Sequence, residues 1–252
     1  MLTNGYPTHK EHHDEEIRNM SIKPESIKSD RKGMDSWVRQ LGPDPSIRWY
    51  CDEGSHKADT KAVRGVLKKG PRAQPTLIYI AGHTETQITA GPSSGQFAYA
   101  PADYLNTNPS GQPQLIPASN SQLPYMLEYE GNEARWVQTG YPGISTGTSS
   151  EIVHFAATAP DERAAAFESG ALFTKAFYNI NPSEARSLKD IVKQLQENMS
   201  KILSSGGSSP GTIHSQHPKV YSSRIIDEPH FFAALQFFLS DSAADTNSES
   251  SG

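Results

Sequence analysis

A single cysteine, Cys51, in 252 residues excludes an internal disulfide framework. The setting expected for such a chain is reducing and cytoplasmic. Long apolar runs are missing as well. None approaches the ~18 residues that a membrane-crossing helix needs, so no membrane partner is expected. Positive charge is in deficit: 23 Lys and Arg face 28 Asp and Glu, a formal net charge of −5. No global basic field therefore recruits nucleic acid, and no basic-aromatic interleaving suggests RNA. Neither a GxxxxGK[ST] loop nor a GxGxxG run is present, so nucleotide binding has no support and no cofactor is expected. Hydrophobic residues make up only 35%, low for a folded domain of this length. The deficit lies at the two ends.

Residues 1–33 are polar, charged and His-rich, and read as a disordered tail. Nothing rigid holds the spacing of His9, His12 and His13, so they are read as solvated rather than as a metal site. Residues 241–252 form a second tail, acidic and serine-rich. Between them, 34–240 reads as one α/β domain. Met34–Leu41 looks like a short helix closed by Gly42-Pro43. Ser46–Cys51 is β-prone. Ala58–Lys69 places Ala62, Val63, Val66 and Leu67 on one helical face. Thr76–Ala81 (TLIYIA) is a continuous apolar run, the pattern of a buried central strand. Residues 89–122 are rich in Gly, Pro, Ser and Asn and read as a long loop. Glu151–Ala157 (EIVHFAA) reads as a second buried strand, followed by a helix over Ala165–Phe177.

Leu188–Leu203 is amphipathic, with Leu188, Ile191, Val192, Leu195, Met199 and Ile202 at helical spacing. After a linker at Gly206–Gly211, Lys219–Ser222 reads as a last strand. Asp227–Leu239 reads as a helix started by an Asp cap and an early Pro. This alternation predicts a mostly parallel central sheet flanked by helices on both faces. Ligands of such sheets bind beyond the carboxyl ends of the strands. That edge would hold His83, just after TLIYIA, and residues Thr158–Glu162 after EIVHFAA.

Gly82-His83 is the strongest local signal. Glycine permits a sharp turn at the end of a strand, and an imidazole there has a pKa suited to acid–base work. The plainer reading is a histidine that caps a strand. Cys51 stands beside Asp52 and Glu53, whose charges would raise a thiol pKa and blunt its reactivity, so it reads as a half-buried strand cysteine. His154 reads as a core or sheet-face histidine rather than a ligand. His214 and His217 have a spacing that metals use, but no second Cys/His pair accompanies them, so no metal is expected. The hydroxyls from Ser145 to Ser150 read as loop, and Asp227, Glu228 and His230 as a helix start.

The strand and Gly-His of TLIYIAGH resemble the histidine strand of the caspase, metacaspase and legumain superfamily. Four further segments fit in order. RWYCDEGSHKADTKAVRGVLKKG is similar to the strand, loop and helix that precede that strand. FAYAPADYL resembles the family's apolar-Pro-x-Asp stretch. EIVHFAATAPDERAAAFESGALFTKAF is similar to the strand after the nucleophile with its Gly-x-Phe-Thr helix. SLKDIVKQLQENM, then SQHPKVYSS, resembles the late helix and the Gln-x-Pro strand start. The style is nearest to the caspase-like proteins of fungi, and the resemblance covers roughly residues 46–224.

The resemblance implies a three-layer caspase-like fold, a cysteine-type endopeptidase activity and a peptide or protein substrate or partner. His83 would be the general acid or base, the Gly82 amide a contributor to an oxyanion hole, and Asp103 part of a substrate pocket. Two departures stand out. No cysteine follows His83; if ARWVQTGYPG occupies the nucleophile strand, Gly140 or Thr139 stands where the thiol belongs. Glycine has no nucleophile, and a threonine hydroxyl needs an arranged base. The usual first strand is also not evident in the polar residues 1–33, which suggests a shortened domain. Three readings follow. One is a degenerate, catalytically impaired caspase-like protein that acts as a binding partner. Another is an active peptidase using His83 with Thr139, Cys51 or another nucleophile. The third is an unrelated α/β binding domain, favoured if the TLIYIA and EIVHFAA strands are not neighbours separated by one strand position. No sequence feature bears on oligomeric state.

Overall fold

A computed structural model describes residues 2–3, 24–42, 45, 47–50, 58–68, 76–81, 84–86, 97–99, 116–117, 123–131, 133–141, 151–159, 162, 164–184, 186–205 and 216–236. In chain order the elements begin with β1 (Leu2–Thr3), α1 (Pro24–Arg39), α2 (Thr60–Lys68), β2 (Ile80–Ala81) and β3 (Thr84–Thr86). Next come β4 (Phe97–Tyr99), β5 (Ile116–Pro117), β6 (Tyr125–Glu130), β7 (Glu133–Gln138) and β8 (Val153–Ala156). The remainder are β9 (Ala166–Phe167), β10 (Gly170–Ala171), α3 (Leu172–Tyr178), α4 (Leu188–Ser205), β11 (Lys219–Ser222) and α5 (Ala233–Gln236).

The expected mostly parallel central sheet is overturned. The largest sheet has four strands in the order β7-β6-β11-β8, and each of its pairings is antiparallel. The cause is local at one edge. The chain reverses at Gly131, whose φ of +57° suits a residue without a side chain. This closes β6 and β7 into a hairpin, which only antiparallel strands can form over so short a connection. β11 then runs between β6 and β8, opposed to both.

Nor is Thr76–Ala81 a central strand. Only Ile80–Ala81 is strand, paired parallel with Leu2–Thr3 in a separate two-stranded sheet. Along this segment Leu77 and Tyr79 turn to the core while Ile78 and Ile80 are 37% and 39% exposed. An apolar run with one face in solvent is indistinguishable by composition from one buried on both. The same pairing puts a strand at Leu2–Thr3, where the polar composition gave no sign of one.

α1 begins at Pro24, well before the expected start at Met34. Ser26, Asp30, Met34, Trp37 and Leu41 recur at helical spacing and are all buried. The first two are polar, so hydrophobic periodicity finds only the second half of the stripe. α2 starts on Asp59, whose Oδ1 accepts the Ala62 amide at 2.7 Å, an N-cap of ordinary kind. α4 is capped by a box: Ser187 Oγ accepts the Asp190 amide at 3.2 Å, and Asp190 Oδ2 accepts the Ser187 amide at 3.2 Å.

Two expected helices start later than their patterns. Ala165–Phe177 opens as the small hairpin β9–β10, and helix starts only at Leu172. Gly170 sits at φ +115°, outside any helical geometry. At the C-terminal side, the Phe231 amide donates to the Arg186 carbonyl at 3.0 Å instead of closing a helical turn. α5 therefore starts only at Ala233, and the described helix covers Ala233–Gln236.

α4 is the central layer. Its Ile191, Leu195 and Met199 pack with Trp37, Phe177 and Phe232 in the larger core. Leu188 and Val192 pack with Leu127, Val220 and Ile226 under the four-stranded sheet. Phe155 of β8 touches both clusters. Each buried leucine of α4 contributes about 1.5–3 kcal/mol, so the helix joins the sheet to the α1–α3 layer.

Candidate functional site

Thr139 and Gly140, the residues at the expected nucleophile position, follow β7 at the open end of the β6–β7 hairpin. The Thr139 amide donates to the Pro124 carbonyl at 3.0 Å. Its hydroxyl donates to the Leu123 carbonyl at 2.6 Å and accepts the Tyr141 amide at 3.3 Å. Gly140 follows at φ +82° with open space where a side chain would stand. A shallow cleft of about 210 Å³ lies here, lined by Pro124, Tyr125, Gln138, Gly140 and Tyr141. The Thr139 proton is directed at a carbonyl, which cannot accept it as a base. Gly82, His83, Cys51 and Asp103 lie outside the described residues, as does His214.

A polar corner forms where β8 ends and β11 begins. Gln216 is buried, its Oε1 accepting the Ala165 amide at 2.8 Å and its Nε2 donating to the Ala157 carbonyl at 2.9 Å. One side chain thus ties three chain segments together. Beside it, Glu162 accepts the amides of His217 at 2.7 Å and Ala159 at 3.3 Å, and its Oε1 meets His217 Nδ1. Burial works against ionisation of Glu162, but the His217 amide and ring and the Ala159 amide outweigh it and hold the carboxyl below its ordinary range. An imidazole held through Nδ1 by a carboxylate presents Nε2 outward, the arrangement of an oriented acid–base group. Among the described residues no hydroxyl or thiol hydrogen-bonds that nitrogen. The sequence placed Glu162 at a sheet edge and His217 beside a linker, yet nothing local pairs residues so far apart in the chain.

Gln216→Ala would leave the Ala165 amide and the Ala157 carbonyl buried without partners. At about 1–3 kcal/mol for each orphan, the loss is expected to reach about 2–4 kcal/mol. A urea midpoint unchanged from wild type would show that the bridge contributes nothing.

Asp30 of α1 is the buried acid that the sequence gave no reason to single out, because its segment reads as tail. Only 2% exposed, its Oδ1 accepts the Ala171 amide at 2.9 Å. Burial pushes its carboxyl up to about 7, opposed by the Ala171 hydrogen bond and the Lys175 charge. Tyr79, whose hydroxyl meets Thr174 Oγ1 at 2.9 Å, is held neutral by burial and by the neighbouring Asp30. His154 is a half-buried sheet residue stacked on Tyr221, ring centroids 6.1 Å apart. Burial pushes its pKa down to about 4, so the ring is neutral near pH 7.

Among the described residues no helix is long and apolar enough to cross a membrane. No cluster of three His, Cys, Asp or Glu among them could hold a metal ion. Comparison with protein-family models, with curated proteins and with solved structures finds no match for this chain.

Proposed function

We propose that this chain is a catalytically impaired relative of the caspase-like cysteine endopeptidases that engages a peptide or protein partner without cleaving it. The lineage rests on the ordered likeness of five sequence segments and not on the sheet, which is antiparallel. The observation that carries the impairment is the state of the nucleophile position. Gly140 offers no side chain, and the Thr139 hydroxyl is committed to the Leu123 carbonyl at 2.6 Å. With no cysteine after His83, the thiolate chemistry of the family has no carrier. The single cysteine makes a cytoplasmic setting the natural one for such a protein.

The test is incubation of the full chain with a pool of peptides ending in Arg, Asp or Asn. No turnover is expected. Cleavage that vanishes in both Cys51→Ala and His83→Ala would overturn the proposal in favour of an active peptidase with a rearranged dyad.

One observation favours a second reading, an α/β binding domain of separate lineage: β2 and β8 belong to different sheets. The two readings part on a restored thiol. In a Cys51→Ala background, Thr139→Cys should react with an electrophilic probe about tenfold faster than an ordinary thiol if His83 faces that position. The acceleration should vanish in His83→Ala. An unaccelerated rate would select the separate lineage.

A further inference from the structure

We propose that the first half of α1 is a pH-sensitive clasp, closed on the β9–β10 hairpin while the Asp30 carboxyl carries a proton and released when the carboxyl ionises. The device goes beyond the partner-binding reading and does not depend on it.

α1 is held in two different ways along its length. Met34, Trp37, Val38 and Leu41 anchor its second half in the larger core. The buried residues of its first half, Ser26 and Asp30, are polar. Two side chains tie that half to the hairpin. Ser29 Oγ donates to the Ser169 carbonyl at 2.8 Å, and Asp30 Oδ1 accepts the Ala171 amide at 2.9 Å. Stretches with few apolar contacts open locally at less cost than a core does. The first half can therefore lift away while Trp37 stays in place.

The seam leaves little room for water around a charge. A Cβ on Gly170 would stand 2.5 Å from Asp30 Oδ1, and one on Gly33 would collide with the Tyr178 ring. Two glycines thus press hairpin backbone against the carboxyl and α1 backbone against α3. A carboxylate placed there loses its hydration, a loss far larger than that of the neutral acid.

The surrounding groups do not offset that loss. Lys175 of α3 favours the charge, but its Nζ donates to Ser169 Oγ at 3.0 Å. Tyr178 of α3 and Tyr79 are held neutral, each by burial and then by Asp30 itself. Glu168, the one ionisable residue of the hairpin, is exposed, as are Lys28, Arg31 and Lys32 of α1. Burial prevails and pushes the carboxyl up to about 7. Opening returns Asp30 to water, where it ionises at its ordinary 3.8. From about pH 4 to about pH 7 each opening releases about one proton. The opening equilibrium then rises by up to about tenfold per pH unit and levels off above pH 7.

The test is amide hydrogen exchange of the full chain, followed by NMR from pH 5 to pH 8 and corrected for the intrinsic rate of each amide. The Ala171 amide and those of Lys28 to Lys32 should be less protected than those of Ile191 to Met199 in α4. Their opening should be about fiftyfold greater at pH 7 than at pH 5. In Asp30→Asn the same amides should stay protected, with no slope across the range.

Equal protection of the two groups of amides would mean that α1 leaves only when the whole chain unfolds, and would overturn the clasp. So would an opening that does not change with pH in wild type, or a slope that persists in Asp30→Asn. Wild type alone decides the first two, whether or not the variant folds.

Discussion

Trp37→Ala is expected to lower stability by about 3–5 kcal/mol, a large part of the total for a domain of ordinary stability. Trp37 is fully buried, and its ring lies 5.0 Å from that of Phe177 and 5.2 Å from that of Phe232. Its indole Nε1 donates to the Ile180 carbonyl at 2.7 Å. Alanine removes the ring from a cluster that cannot close around the space and also strands that carbonyl. Trp37→Phe separates the two effects. It keeps most of the apolar volume and loses the hydrogen bond, so about 1–3 kcal/mol is expected. Urea unfolding followed by circular dichroism measures both. A cost below ~1 kcal/mol for Trp37→Ala would mean that α1 does not anchor the larger core.

Asp30 should make the wild-type protein less stable as the pH rises. Its folded-state pKa of about 7 lies above the ordinary 3.8 of an aspartate. Between those values the native chain holds a proton that the unfolded chain has released. Stability therefore falls from about pH 4 to about pH 7 and is level above, once both states are ionised. The displacement corresponds to about 4 kcal/mol over that window. Asp30→Asn cannot ionise, and its side-chain oxygen can still accept the Ala171 amide. The variant should lose this pH dependence and exceed wild type at pH 8, where the aspartate is buried as a charge. Urea midpoints at pH 5 and pH 8 for both proteins decide the matter. Equal slopes would remove Asp30 as the cause.

How far the fold was legible depended on whether the signal was local. The Leu188 helix was, because its apolar residues recur at helical spacing. The Lys219–Ser222 strand was found with its observed ends. The β6–β7 hairpin was missed, although Gly131-Asn132 between two β-prone runs is a turn signal of the kind that closes hairpins. The Ala165–Phe177 pattern misled because Gly170 imposes a turn that apolar periodicity ignores.

The candidate site was less legible still. Thr139 and Gly140 were singled out by resemblance, but that the threonine hydroxyl ends on Leu123, sixteen residues back, is a property of the closed hairpin. Glu162 and His217 meet across 55 residues, and Asp30 reaches Ala171 across 141. Neither pairing has a local trace.

The sequence by itself determined which stretches can bury an apolar face, where α4 begins, and that no cysteine follows His83. These depend on neighbours a few residues away, and a chain satisfies them whatever its fold. Only the tertiary structure decided that the main sheet is antiparallel, that the TLIYIA segment leaves one face in solvent, and that Asp30 is buried beneath Ala171. Strand direction and burial depend on which distant segment supplies the hydrogen-bond partner and displaces the water, and composition is silent about that choice.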